Sequence, residues 1–252
     1  MKLTWLGHAC FLVEQGGYRI LLDPYTGVEG YPSLAETARR TALWDNVWEE
    51  RARRKEQGFY TLAVKTRVFV DGEAAPPAEP KLQVHKILCS HGHFDHNAVE
   101  EAEVVPFDGP CPFTIRTVET FHDDQGGALR GPNTIHILSA DGVTIAHLGD
   151  LGHPLSPEQL AAVGPLDVVL IPVGGTYTVD AAGAKAVCGA LRPKCAVPMH
   201  YRHAPYGLPN VAGVEDFLSL WDEGEIHRLE GPALEVDGTA RGVVVPQYCE
   251  EA

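Results

Sequence analysis

The chain has 252 residues, 44% hydrophobic and 21% charged, a composition that suits a folded globular protein with a sizeable core. Its 20 Lys and Arg face 34 Asp and Glu, so a net charge of -14 withholds the basic footprint that nucleic-acid binding requires. The opening "MKLTWLGH" turns polar at once, and no apolar run reaches the roughly eighteen residues of a membrane span, which argues against a signal peptide or a membrane partner and for a cytoplasmic protein.

In chain order, "CFLVEQGGYRILLDP" (10–24) predicts a hairpin turned at Gly16-Gly17 and stopped by Pro24. Residues 33–58, rich in Ala, Leu, Glu and Arg, predict one or two helices ended by Gly58. Leu43, Trp44, Val47 and Trp48 lie at helical spacing and read as a packed stripe, while the basic run Arg51 to Lys55 reads as a solvated face. The Pro-rich connector at 75–81 is too short to divide the chain, which is taken as one domain, 1–252, with a helical insertion at about 33–58. "SPEQLAAV" (156–163) carries a capping-box pattern with Pro157 in the first turn, and further helices are predicted at 180–191 and 214–221. Six cysteines lie far apart without a C-x-x-C pair and read mostly as small buried apolar residues. Short strand-like runs with helices between them predict a mixed α/β sandwich.

Five of those runs stop at a residue able to hold a metal. "YRILL" hands over to Asp23, "VHKILCS" to His91, "FTIRTVETF" to His122, "VTIAHLG" to Asp150 and "CAVPM" to His200. If the strands leave their sheets at one edge, a rigid scaffold brings these loops together. The densest stretch is "HGHFDHN", where His91, His93, Asp95 and His96 match a four-position pattern expected by chance on the order of once in a thousand such chains. Taken singly, His122 and His200 are ordinary histidines and Asp150 a helix cap; the joint pattern argues otherwise.

Imidazole and carboxylate without thiolate form a donor set for divalent zinc, manganese or iron. Seven candidates are too many for one tetrahedral ion and suit two. In an extended loop His91 and His93 point the same way toward one ion, and Asp95 and His96, past a turn that opens a helix near Asn97, belong to the other. His122 completes the first set and His200 the second, with Asp150 reaching both.

With a later His, Asp and His each at a strand end, this H-x-H-x-D-H motif resembles the metallo-β-lactamase superfamily of metal-dependent hydrolases. "WLGHACFLVEQGGYRILLDP", "HLGDLG" and "KCAVPMHY" resemble more narrowly its ascorbate-6-phosphate lactonase-like branch, and the likeness spans residues 3 to about 203. The resemblance implies a four-layer αβ/βα sandwich with two metal ions at one edge of the sheets. It implies His91, His93 and His122 as ligands of the first ion, Asp95, His96 and His200 of the second, and Asp150 as the bridge. Asp23 would support the site by bonding a ligand histidine, and His8 of "GHA" would be a supporting or substrate contact.

The expected chemistry is hydrolysis of a small ester, lactone or phosphodiester by a metal-activated hydroxide, with Asp95 relaying its proton. Tyr177, Arg202 and His203 are candidate substrate contacts, and Arg130 in the loop after His122 borders the pocket. Two other readings stand beside hydrolysis. One is iron-dependent redox chemistry, disfavoured because the diiron flavoprotein branch typically has Glu where this chain has His93; the other is a non-catalytic metal-binding module. The sequence leaves a homo-oligomer open.

Overall fold

The computed structural model describes residues 1–40, 69–70, 73–74 and 81–248. The predicted helix beyond residue 40, its aromatic stripe and basic run, the connector before Lys81, and Cys249 lie outside them.

The hairpin forms as β2 (Cys10–Gln15) and β3 (Tyr18–Leu22), turned by Gly16 and Gly17 at φ 55° and 80°. Two left-handed positions give the turn that matches strand twist, and glycine takes them without steric cost. β1 (Lys2–Gly7) pairs antiparallel with β2, β15 (Ala233–Glu235) with β1, and β7 (Lys86–Leu88) lies parallel to β3. The sheet order is β15-β1-β2-β3-β7.

The second sheet has seven strands. β9 (Thr114–Phe121), β10 (Pro132–Ala140) and β11 (Val143–His147) form an antiparallel meander. β12 (Val168–Pro172), β13 (Cys195–Met199), β16 (Gly242–Val245) and β14 (Ile226–Arg228) continue it in parallel. Parallel neighbours need crossovers, and helices supply them. α2 (Pro157–Val163) joins β11 to β12 and α3 (Ala181–Leu191) joins β12 to β13, while the four-residue α4 (Glu215–Leu218) precedes β14. α2 starts where the sequence signalled it: Ser156 Oγ accepts from Gln159 N, and Gln159 Oε1 accepts from Ser156 N. Two short pairs complete the sheets, β4 (Phe69–Val70) with β5 (Glu73–Ala74) and β6 (Leu82–Val84) with β8 (Ala102–Val104).

Alternation along β2 separates two cores. Phe11 and Val13 join the main core with Ile135, Ile137, Ile145 and Val169 of the larger sheet. Cys10 and Leu12 face the other way, against Leu34 and Ala38 of α1 (Leu34–Arg40). On the far side, α3 lays Ala184, Val187, Cys188 and Leu191 on the seven-stranded sheet. The layers are therefore helix, sheet, sheet, helix, as the sequence predicted. Burial of each large apolar side chain contributes about 1.5–3 kcal/mol, so the two sheets are fixed against each other by their inner faces.

One expectation needs correction. No α-helix opens near Asn97: His96 N bonds back to His93 O and Ala98 N to Pro24 O, which leaves only a 3₁₀ turn at Val99–Glu101. Of the described cysteines, Cys10, Cys188 and Cys195 are buried as expected, but Cys89 is half-buried and Cys111 exposed. Among the described residues no helix is long and apolar enough to cross a membrane.

Candidate metal centre

Asp23, His91, His122, Asp150 and His200 follow β3, β7, β9, β11 and β13, and these five strands release them on one edge. Pro198 helps β13 leave. It lies beyond the Cys195 and Ala196 pairing with β16, where its missing N–H interrupts no bond on that side. Six non-glycine residues of the described chain have positive φ, and three of them are His8 (50°), Asp23 (44°) and His200 (52°). Such backbone costs on the order of 1–3 kcal/mol each and persists where the surroundings over-determine it.

The edge gathers the predicted residues into three overlapping groups: His91, His93 and His122; His8, Asp95, His96 and His200; and His91, His96 and Asp150. Within each group, donor atoms lie within 4.8 Å of one another. Asp150 spans the centre, with Oδ2 3.0 Å from His122 Nε2 and 3.2 Å from His200 Nε2, and Oδ1 3.1 Å from His96 Nε2. The first two groups gather residues expected at each ion, with His8 added to the second, and the third joins His91 to His96 through Asp150.

Tautomers follow from hydrogen bonds. His96 Nδ1–H donates to Asp23 Oδ2 at 2.7 Å, and His122 Nδ1–H to the Tyr177 carbonyl at 3.1 Å. Ser90 Oγ–H donates to Asp23 Oδ2, so Ser90 Oγ accepts the His91 Nδ1–H at 2.9 Å. In its neutral form each of these imidazoles spends its one N–H outward, which leaves Nε2 with a lone pair. His91 Nε2, His96 Nε2, both His200 nitrogens and Asp150 Oδ1 are buried without a hydrogen-bond partner. Lone pairs 3 Å apart with no hydrogen aligned between them repel unless a cation separates them, so the residues fit a divalent metal.

The same crowding sets the charges. Burial opposes charge on both partners, yet Asp150 and Asp23 hold the His96 imidazole well above its ordinary range, and His200 and His96 hold the Asp150 carboxyl well below. These shifts describe one demand, a positive charge beside Asp150. Burial and the neighbouring His96 bring His91 down to about 3, and burial and His200 bring His8 down to about 4, leaving both neutral at pH 7 and able to donate lone pairs.

Several supporting residues escaped the sequence reading. Asn133, fully buried, accepts the Asp150 N–H at 2.9 Å and donates to Thr120 Oγ1 and the Leu148 carbonyl. His147 accepts from Gly149 N and donates to the Ala9 carbonyl. The Asp123 carboxylate takes the N–H groups of Gln125, Gly127, Leu129 and Arg130, folding the loop after His122; "DDQGG" was the available turn signal. Gly149, at φ 56°, is a tight link: a Cβ there would meet Asn133 Oδ1 at 2.3 Å and Ser90 Cβ at 2.4 Å. Gly149→Ala should therefore cost about 2–4 kcal/mol, read as a lowered Tm, and displace Asp150 with it.

The candidate substrate contacts divide. Tyr177 stands at the centre, its carbonyl on His122, its hydroxyl accepting from Asn210 Nδ2 at 2.6 Å and its ring 5.7 Å from the Arg130 guanidinium carbon. His203 instead bonds the Tyr31 hydroxyl at 2.8 Å and lines a cavity of about 300 Å³ with Trp5, Tyr201, Glu215, Arg228 and Tyr248. Arg202 donates its backbone N–H to Ala212 O. Among the described residues neither Arg202 nor His203 belongs to a metal-holding group.

An αβ/βα sandwich carrying a histidine and aspartate centre on one sheet edge defines a class of metal-binding proteins. Residues 2–200 match the β-lactamase superfamily domain, and the chain belongs to that superfamily, in its UPF0173 metal-dependent hydrolase family. A family member from Pyrococcus furiosus is 31% identical over 229 residues, covering 88% of this chain and 93% of its own. One from Carboxydothermus hydrogenoformans is 26% identical, covering 86% and 91%. A solved metallo-β-lactamase superfamily structure from Thermotoga maritima, proposed to be a Zn-dependent hydrolase, is 30% identical, covers 97% of both chains and superposes with a TM-score of 0.62.

Proposed function

We propose that this protein is a hydrolase that holds two divalent ions, zinc or manganese, and cleaves an ester, lactone or phosphodiester bond of a small molecule. The observation that carries the reading is the set of three imidazoles, His91, His96 and His122, with Nδ1–H turned outward, and Nε2 of His91 and His96 buried without a partner. Relatives named as metal-dependent hydrolases support it. His91, His93 and His122 would hold one ion, Asp95, His96 and His200 the other, and Asp150 both. Bound there, two such ions supply Lewis acidity and a water acidic enough to ionise near neutral pH.

The chain's own residues do the rest. Asp23 and Ser90 orient His96 and His91, and the Tyr177 carbonyl orients His122. His93 and Phe94 are exposed and mark the open side. Asp95 accepts the nucleophile's proton. Arg130 and Tyr177 border the substrate, and a cation there favours an anionic group on it. The finer reading, a lactonase like the ascorbate-6-phosphate branch, rests on the "WLGHACFLV", "HLGDLG" and "KCAVPMHY" segments and directs the substrate panel toward sugar lactones.

Chelation tests the proposal. Removing metal should lower turnover of a responsive lactone, ester or phosphodiester by about 100-fold or more, and Zn(II) or Mn(II) should restore it. Turnover that persists in protein shown metal-free by elemental analysis would refute the reading. Stoichiometric iron with a charge-transfer band would favour redox chemistry.

A further inference from the structure

His8 is the feature that the two-ion arrangement above leaves without a role. It lies in the β1–β2 turn, remote in sequence from every other candidate ligand, and it is fully buried. Its backbone is left-handed, and its carbonyl accepts both Trp5 Nε1–H at 3.0 Å and His200 N–H at 3.2 Å. The ring is thus locked to the His200 loop from behind. In front, its centroid is 4.2 Å from that of His200 and 5.3 Å from that of His96.

We propose that His8 is a further protein ligand of the second ion, a fifth beside Asp95, His96, His200 and the shared Asp150. One donor atom from each of His8, Asp95, His96 and His200 lies within 4.8 Å of all the others. His8 Nε2 is 3.2 Å from Asp95 Oδ2, and His96 Nε2 is 3.7 Å from the same oxygen. Neighbouring donors on a five-coordinate ion with arms of about 2.1 Å stand roughly 3.0–3.6 Å apart, so both separations are compatible with shared coordination. His8 Nδ1, His96 Nε2 and both His200 nitrogens are buried without a hydrogen-bond partner, and a hydrogen bond from His8 to Asp95 would still leave a lone pair on the other His8 nitrogen unused.

The consequence is an unequal pair of sites. His8, Asp95, His96 and His200 are all buried and, with Asp150, leave the second ion closed to solvent. His91, His93 and His122 offer three donors beside Asp150, with His93 exposed, and keep the open position. The buried ion loads first and tightly; the exposed one is the exchangeable partner.

The inference rests on the two-ion reading but has its own test. A His93→Ala protein, crippled at the first site, is stripped of metal, loaded with one equivalent of Zn(II), and its imidazole ligands counted by X-ray absorption. The same is done with His8→Gln added, since glutamine can still donate to Asp95. Three imidazoles falling to two, with Zn(II) affinity falling at least tenfold, is the expected result. A count that His8→Gln leaves unchanged overturns the proposal and makes His8 a support for Asp95 only. Should the double variant fail to fold, the His93→Ala protein decides alone, three imidazoles supporting His8 and two refuting it. Loss of the hydrolase reading would show separately, as inactivity of fully loaded wild type.

Discussion

Asp150→Asn is expected to abolish binding of the second equivalent of metal and to lower kcat/KM by about 10³-fold or more, equivalent to about 4 kcal/mol of transition-state stabilisation. Among the described residues the carboxylate is the one anion in contact with histidines of both groups, 3.0 to 3.2 Å from His122, His96 and His200. Asparagine preserves shape but removes the negative charge that a bridge between two cations requires. Its backbone N–H still reaches Asn133, so the loop keeps its anchor and the far-UV circular dichroism of the metal-free variant should match wild type. Metal content by elemental analysis and turnover, measured on the same sample, check the prediction. A variant that retains two ions and wild-type turnover would remove Asp150 from the centre.

Asp23→Asn should act on stability and metal together. Its carboxylate receives Ser90 N–H at 2.7 Å, Ser90 Oγ–H at 2.6 Å and His96 Nδ1–H at 2.7 Å, with no exposure to solvent. The amide turns one of its ends into a donor facing donors, which should cost about 3 kcal/mol. For a chain of this size that is roughly 6–12 °C in Tm. Freed from Asp23, His96 can rotate or change tautomer, and metal affinity should drop by about 10- to 100-fold.

The pH dependence has a definite sign. Burial alone would raise the Asp23 carboxyl, but His147, His96 and Ser90 bring it from its ordinary 3.8 to about 2. A depressed carboxyl contributes stability that is fully present above the unfolded value and is lost as pH falls through the folded one. The Tm gap between metal-free wild type and Asp23→Asn should therefore hold above about pH 4 and narrow toward pH 2. A gap constant across that window would show that the bonds, not the ionised carboxylate, carry the effect.

Much of the centre was readable because its signals are local. The apolar runs that end at Asp23, His91, His122, Asp150 and His200 mark strands entering and leaving a sheet, and a strand's end is written in its own residues. The spacing of His91, His93, Asp95 and His96 likewise lies within one loop. Ser156 with Gln159 and Gly16 with Gly17 specified their cap and turn for the same reason. The helix expected near Asn97 failed because Ala98 N–H found its acceptor in Pro24, 74 residues away in the chain.

Partners brought in by sheet pairing were beyond reach. Asn133 supports Asp150 only because β10 lies between β9 and β11, and Ser90, next to His91, reaches Asp23 only because β7 pairs with β3. His8 and His203 look alike in sequence, each a histidine two or three residues after an aromatic, Trp5 or Tyr201. Folding sends one to Asp95 and His200 and the other to Tyr31.

The sequence by itself determined which residue types could bind metal and where each strand delivers one, because both are properties of short stretches. Only the tertiary structure decided which nitrogen of each imidazole turns inward and that His8 joins the second group. A hydrogen bond or a metal contact depends on distance and direction within a fraction of an ångström, and those are fixed by elements paired from far along the chain.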